Sequence, residues 1–292
     1  MSSLGIATDH EALDCRLPVR QSVPLVVASP HSGSSYPAPF LAQAAVSLAS
    51  LRRAEDAFVD ELFSGAPELG MPFLAARFPR SYVDANREPY ELDPGMFEDA
   101  LPPWVNAASP RVAAGLGTIA RVVASGEAIY RGRLRFRDAE ARVETCWRPY
   151  HDTLGALIAA TKAQHGFCAL IDCHSMPSHG QGPRGDGRQP DFVLGDAHGT
   201  ACAPAIARYV ERALTDMGYA VRRNDPYAGG FVTRHYGRPR EGAHALQIEI
   251  ARELYMDEAR IEKAPGFDAL RADIARLVEA LARDVDRLIH EG

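Results

Sequence analysis

The sequence has few of the features that mark membrane, secreted or thiolate-metal proteins. No apolar run approaches the roughly 18–20 residues of a membrane span. The N-terminus carries acids and lacks an apolar stretch, so it does not resemble a signal peptide. Only five cysteines occur, and the absence of a CxxC pair argues against a thiolate zinc site. A reducing compartment, the cytoplasm, is therefore predicted.

Basic residues are also fewer than acidic residues. The 32 Lys and Arg against 38 Asp and Glu give a net charge of −6, and the arginines form no tract. The acidic balance predicts that the protein binds neither nucleic acid nor a membrane, and it favours a small-molecule ligand. Apolar residues are abundant at 46%, enough to bury a full core without disulfides. The predicted organisation is one domain over residues 1–292.

Short apolar runs alternate with helical patterns along the chain. Predicted strands cover residues 23–28, 73–76, 78–83, 167–172 and 246–251. Amphipathic helices are predicted over 139–161, with a kink or break at Pro149, and over 267–288. This order predicts an α/β fold: a single three-layer α/β/α domain with a mostly parallel mixed sheet.

Two histidines come directly after two of these strands. His31 lies in SPHSG, and His174 lies in DCHS. Because ligands of parallel sheets bind beyond the carboxyl ends of the strands, we expect both imidazoles in one crevice. Imidazole is the commonest metal ligand, and catalytic zinc often takes two His and one carboxylate. The pair therefore predicts a metal site.

The carboxylate ligand is not fixed by spacing alone. Glu55 and Asp56 lie where an amphipathic helix is predicted to begin, a position where acids commonly interact with the helix dipole. Asp172 lies two residues before His174 and is suited to orienting an imidazole. At this point all three acids are candidates.

A further acid, Glu249, lies inside the apolar run LQIEIA. Burying a carboxylate costs several kcal/mol unless it is paired or functional. Glu249 is therefore predicted to be either the partner of a buried arginine or a general base.

Arginines follow a predicted strand in a loop. Arg80 and Arg87, the latter beside Asn86, are suited to bidentate binding of a carboxylate. Arg234 and His235 in GGFVTRHYG mark a second anion-binding loop. His151 is interpreted as structural or functional with equal weight. No serine-nucleophile, P-loop or dinucleotide motif stands in a strand-to-helix context.

Taken in order, the motifs resemble the N-formylglutamate amidohydrolase family. They are SPHSG…YP, YVDANR, DCHS, DFVLGD, GGFVTRHYG and HALQIEIARELYM, from about residue 24 to 256. The resemblance implies a metallohydrolase related to zinc carboxypeptidases and aspartoacylase, with a phosphorylase/hydrolase-like zinc-exopeptidase fold. It further implies hydrolysis of N-formyl-L-glutamate to formate and L-glutamate, in histidine catabolism.

The same resemblance implies one zinc ion per chain, held by His31, Asp56 and His174. The larger group usually has a Glu three residues after its first His, and here that position is Ser34. The second ligand must come from elsewhere; Asp56 is the expected residue and Glu55 the alternative.

The resemblance also assigns roles around the metal. Asn86 and Arg87 are expected to bind a substrate carboxylate, and Arg234 a second one. Arg80 is expected to polarise the scissile carbonyl, and Glu249 to act as general base.

Two alternative functions are compatible with the same fold. One is a zinc hydrolase of another N-acyl amino acid or of a C-terminal peptide, and another is a non-catalytic binder of amino acids or metal. The polar, Gly-rich residues 178–191 are predicted to form a surface loop that covers the site.

Overall fold

The computed structural model describes residues 10–123, 125–178 and 189–290. The strands are β1 (Leu13–Arg16), β2 (Leu25–Ser29), β3 (Phe73–Ala76), β4 (Cys168–Met176), β5 (Phe192–Gly195), β6 (Val221–Arg223), β7 (Ala243–Ala251), β8 (Met256–Asp257) and β9 (Glu262–Lys263). The helices are α1 (Ala38–Gln43), α2 (Leu48–Arg52), α3 (Val59–Leu62), α4 (Pro110–Ala113), α5 (Phe136–Arg142), α6 (Arg148–His165), α7 (Pro204–Asp216), α8 (Phe231–Tyr236) and α9 (Phe267–His290). Within these ranges, no helix combines the length and apolarity needed to cross a membrane.

In the described part of the chain, seven strands form one mixed sheet in the order β1-β3-β2-β4-β7-β5-β6. The neighbours β3, β2, β4 and β7 are parallel, whereas β1 is antiparallel to β3 and β5 is antiparallel to β7. The expectation of a single α/β domain with a mostly parallel sheet is confirmed.

Helices cover both faces of this sheet. Leu25 and Val27 of β2 pack on the side of α3, α7 and α9, whereas Val26 and Ala28 pack on the side of α6. Because successive side chains point to opposite faces and both faces are buried, the central strands have nearly continuous apolar sequences.

Two strand predictions were wrong in detail. Residues 78–83 form a turn, because the N–H groups of Tyr82 and Val83 both bond back to the carbonyl of Pro79. The predicted strand 167–172 continues as β4 to Met176, since it pairs with β7 along its whole length. His174 therefore lies within a strand rather than after it.

The predicted break near Pro149 lies just before it. A π-helical turn, Val143–Trp147, separates α5 from α6, and Pro149 occupies the first turn of α6. The helix continues four residues beyond the predicted 139–161, to His165, and is capped by Gly166 in a left-handed conformation with φ +88°. The proposed covering loop falls largely on residues 179–188, which lie outside the described residues.

Candidate active site

Three adjacent strands deliver the predicted residues to one edge of the sheet. His31 follows the end of β2 by two residues, His174 lies in β4 and Glu249 lies in β7. The register of the parallel pair places His174 opposite Glu249. Gly33 permits this path, because a Cβ there would lie 2.2 Å from the carbonyl oxygen of Phe78.

Both histidines converge on one carboxylate. Asp56 Oδ2 lies 3.0 Å from His174 Nδ1 and 3.4 Å from His31 Nδ1. All three residues are buried, and their candidate ligand atoms lie within 4.8 Å of one another. The backbone N–H of Asp56 also donates to the carbonyl of His31 at 3.1 Å, which fixes the two segments together. This group could hold a metal ion.

Glu55 lies apart from this group. Its carboxylate accepts a hydrogen bond from Tyr36 Oη at 2.7 Å and from Arg52 Nε at 3.2 Å. Ser34, at the position where a ligand Glu was missing, is exposed. Glu55 and Asp56 do not begin a helix as expected, because they precede α3, which starts at Val59.

The second nitrogen of each imidazole faces another buried carboxylate. His31 Nε2 lies 2.7 Å from Asp84 Oδ1, and His174 Nε2 lies 3.0 Å from Asp172 Oδ1. In the neutral form of imidazole that binds a metal, each Nε2 would donate its proton to this second carboxylate, and Nδ1, on the side of Asp56, would be the ligand atom. Carboxylates in this position orient metal-binding histidines and raise their basicity.

The electrostatics of the group favour a cation. Burial raises the pKa of Asp84, yet His31, Arg80 and Arg87 hold it well below its usual range. Burial lowers the pKa of His174, but Asp172 and Asp56 outweigh this effect and raise it well above its usual range. Three buried carboxylates thus surround two imidazoles.

One buried atom of this group, although 3.4 Å from Asp56 Oδ2, also lacks a hydrogen bond. Among the described residues, none forms a hydrogen bond with His31 Nδ1. Unsatisfied buried polar atoms are costly. Two imidazole nitrogens and one carboxylate oxygen are a donor set that zinc accepts, so the residues present fit this metal.

Glu249 is buried, with 7% of its surface exposed, and lines the same cavity. In the described part of the chain, no ion pair joins it to an arginine; instead Gln247 Nε2 donates to its Oε1 at 2.8 Å. Burial raises the pKa of Glu249 to about 7, against the opposing effect of His174. A carboxyl group with this pKa can accept and release a proton near neutrality.

The loop that carries Arg80 and Arg87, here called the arginine loop, surrounds Asp84. Arg80 donates from Nη2 to Asp84 Oδ2 at 2.9 Å, and Arg87 Nη2 lies 3.8 Å from the same oxygen. Arg87 also donates to the backbone carbonyls of Leu116 and Asn86, at 2.9 and 2.7 Å. Part of its guanidinium is therefore committed to holding the loop.

Asn86 is similarly placed between elements. Its Oδ1 accepts from the backbone N–H of Val232 at 2.8 Å, and its Nδ2 lies 3.3 Å from His174 Nε2. Gly230 allows this approach, since a Cβ there would lie 2.2 Å from Asn86 Nδ2. Arg234, in the same helix α8, is exposed and lines the cavity.

The cavity at this edge has a volume of about 540 Å³. Its lining includes the eight residues to which the family resemblance assigned a role, namely His31, Asp56, Arg80, Asn86, Arg87, His174, Arg234 and Glu249. The size is suited to a small-molecule substrate.

His151 and His235 have other surroundings. His151 Nε2 lies 2.8 Å from the carbonyl oxygen of Ala85, and Trp147 Nε1 donates to the carbonyl of Arg87 at 3.0 Å. These two side chains brace the backbone of the arginine loop. His235 is exposed and stacks on Phe231.

Asp84 and Gln247 are among the site residues that sequence reasoning missed, as are Arg111 and Arg252 of the cavity lining. Asp84 stands in the quoted motif YVDANR, and Gln247 lies two residues before Glu249 in the run LQIEIA. The alternation of LQIEIA was the available signal for Gln247.

Comparison with known proteins agrees with these motifs. A sequence model of the N-formylglutamate amidohydrolase family matches residues 23–256. An N-formylglutamate deformylase of Pseudomonas aeruginosa is 34% identical over 270 residues, covering 91% of this chain and 92% of that protein. An N-formylglutamate deformylase of Pseudomonas putida is 31% identical over 242 residues, covering 81% and 83%.

Solved structures show the same architecture. An N-formylglutamate amidohydrolase of Ralstonia eutropha JMP134 superposes with a TM-score of 0.89 at 38% identity, covering 94% of this chain and 99% of that one. A gene product of Agrobacterium tumefaciens shares the fold, with a TM-score of 0.65 at 18% identity and coverages of 92% and 96%.

Proposed function

The chain belongs to the N-formylglutamate amidohydrolase family, and we propose that it hydrolyses N-formyl-L-glutamate with a zinc ion held by His31, Asp56 and His174. The products are formate and L-glutamate. Hydrolysis of the formyl amide is the activity named for its curated relatives.

One observation carries the proposed metal centre. Two imidazole Nδ1 atoms face a single carboxylate oxygen, while Asp84 and Asp172 hold the opposite nitrogens. When bound there, zinc supplies Lewis acidity that activates water and polarises a carbonyl oxygen.

Glu249 is the proposed general base. It lines the cavity beside the donor group, and Gln247 holds its carboxylate in place. With a pKa raised to about 7 by burial, it takes a proton from the attacking water and returns it to the leaving amine.

The arginine loop supplies the remaining contacts. Arg80, fixed by Asp84, is proposed to stabilise the negative charge that develops on the formyl oxygen. Asn86 and Arg87 are proposed to bind the substrate carboxylate next to the scissile amide. Arg234, which is exposed and lines the cavity, is proposed as a further substrate-binding residue.

We also propose a fold type and a cellular location for the protein. The parallel centre of the sheet and the site at its carboxyl edge support a zinc-exopeptidase type of fold. All five cysteines are buried and unpaired, which supports a reducing location such as the cytoplasm. A place in histidine catabolism and the absence of a nucleic-acid partner stay predictions.

Metal analysis with a formate assay tests the proposal. We expect about one zinc per chain, with formate release from N-formyl-L-glutamate lost on chelation and restored by zinc. Zinc without formate release would move the substrate to another N-acyl amino acid. Activity that persists after complete removal of metal would contradict the metal centre.

A further inference from the structure

The arginines that line the cavity carry more positive charge than the carboxylates around them neutralise. Six arginines and three carboxylates line it, although the whole chain has a net charge of −6. Arg80 and Arg87 lie against Asp84, and Arg252 pairs with Asp56 Oδ1 at 3.2 Å. Within the described ranges, no hydrogen bond or ion pair engages the guanidinium groups of the other three, which are Arg53, Arg111 and Arg234.

Arg111 differs from the other two in burial and in its neighbours. It is half-buried, whereas Arg53 and Arg234 are exposed. Its charge lies close enough to Arg87 to help lower the pKa of that residue to about 10, after the larger effect of burial and together with Arg80. Holding like charges together away from water costs free energy, which an anion between them offsets.

Arg111 also begins a wall of the cavity that is otherwise apolar. The other lining residues of this segment are Leu116, Gly117, Ala120, Val122 and Val123. The backbone here is well fixed: Ser109 Oγ accepts from the N–H of Val112, and the N–H of Leu116 donates to the carbonyl of Arg111 at 2.8 Å. Arg87 Nε donates to the carbonyl of Leu116, which joins this wall to the arginine loop.

We propose that Arg111 binds the side-chain carboxylate of the substrate and makes the enzyme specific for dicarboxylic N-formyl amino acids. The inference rests on the proposed function and divides the two substrate carboxylates between two arginines. Arg87 binds the one beside the scissile amide, and the side-chain methylene groups lie along the apolar wall. Arg234 stays a substrate-binding residue, but being exposed it attracts the anionic substrate to the cavity and does not hold the side-chain carboxylate.

The test compares two substrates that differ in a single charge. N-formyl-L-glutamine has nearly the shape of N-formyl-L-glutamate and lacks the side-chain carboxylate. In the zinc-loaded Arg111→Gln variant, we expect kcat/KM for the glutamate substrate to fall about 10- to 100-fold, chiefly through KM. The value for the glutamine substrate should stay the same. Arg111→Lys should keep part of the preference, because it keeps the charge and loses the planar fork.

Arg121→Gln is the matched control. It removes a cation from the same segment, but Arg121 lies outside the cavity lining and pairs with Asp93 at 2.9 Å. Its substrate preference should equal that of the unmodified enzyme. Equal losses on both substrates in Arg111→Gln, or loss of preference in Arg234→Gln instead, would overturn the inference. Failure of the unmodified zinc enzyme to hydrolyse either substrate would overturn the proposed function itself.

Discussion

At the scale of single residues, Asp84 connects the candidate metal ligands His31, Asp56 and His174 to the arginine loop. It accepts from Arg80, from the N–H of Asn86 and from His31 Nε2. Replacing Asp84 with Asn keeps its shape and removes the charge that holds His31. We expect zinc affinity to fall about 10- to 100-fold, measured by competition with a chelator.

A matched acid separates this effect from a general loss of charge. Asp93→Asn removes a carboxylate of the same segment that pairs with Arg121, outside the cavity lining. Its zinc affinity should not change. Equal affinity in Asp84→Asn and the unmodified protein would mean that His31 does not depend on this contact.

Glu249 makes a different prediction, because it is assigned to proton transfer rather than to metal binding. Glu249→Gln retains an oxygen that can accept from Gln247 and cannot take a proton from water. We expect kcat to fall about 10²- to 10⁴-fold while zinc content and KM stay near their original values.

The exposed Glu253, four residues further along the chain, provides the control. Glu253→Gln should leave steady-state formate release unchanged. A Glu249→Gln enzyme with normal kcat would assign the base to another group.

At the scale of secondary-structure elements, the π-helical turn Val143–Trp147 braces the arginine loop. Trp147 Nε1 donates to the carbonyl of Arg87 at 3.0 Å. Trp147→Phe removes this bond and keeps most of the packing. We expect KM for N-formyl-L-glutamate to rise about 3- to 10-fold, with kcat and zinc content retained.

Trp104→Phe is the corresponding control, since Trp104 is 59% exposed. If Trp147→Phe leaves KM unchanged, the turn does not position Arg87. If zinc content falls as well, the effect is a general loosening of the site.

The elements also show what local sequence patterns can and cannot predict. His31 and His174 were found because each stands near the carboxyl end of an apolar run, and strand direction alone places such ends together. Asp84 was missed because its partner lies 53 residues away and its neighbours, residues 78–83, resemble a strand. Pairing between distant segments leaves no local pattern.

The choice between Glu55 and Asp56 had the same limitation. It depends on the backbone path through residues 53–58, where Phe58 adopts a left-handed conformation with φ +64°. Phe rarely adopts such a conformation, so the sequence does not predict the backbone path at this residue. The family resemblance, not spacing, selected the acid that lies with the histidines.

At the scale of the whole molecule, metal binding and folding should be coupled. The donor residues come from three segments, around His31, Asp56 and His174, so an ion that binds them stabilises only the folded chain. Zinc at about 1,000 times its Kd adds about 4 kcal/mol to the free energy of unfolding. Differential scanning calorimetry should show a higher Tm with zinc for the unmodified protein.

The His31→Ala variant is the comparison for this measurement. Its Tm should respond much less to zinc, whatever its value without metal. An equal rise in both proteins would place the stabilising ion elsewhere.

The stability of the molecule should also depend on pH through His151. Burial lowers its pKa to about 4. Below its ordinary pKa of about 6.5 the unfolded chain binds a proton that the folded protein does not, so this residue reduces stability as the pH falls from about 6.5 to 4. The full loss is about 3 kcal/mol.

Urea unfolding at a series of pH values measures this dependence. His151→Gln, which can still donate to the carbonyl of Ala85, should lose stability less steeply between pH 6.5 and 4 than the unmodified protein. Parallel curves for the two proteins would exclude His151 as the source.

The register between β4 and β7 positions both the site residues and part of the core, and this limits how the sequence can change in evolution. His174 and Glu249 share one face of this pair, whereas Cys173 and Ile248 face the core on the other. A deletion of one residue in either strand exchanges the two faces, so it removes the chemistry and the core together. Descendants of this enzyme can therefore lose activity and remain folded through side-chain replacement, but not through a shifted strand. Tolerated insertions and deletions should collect outside β4 and β7.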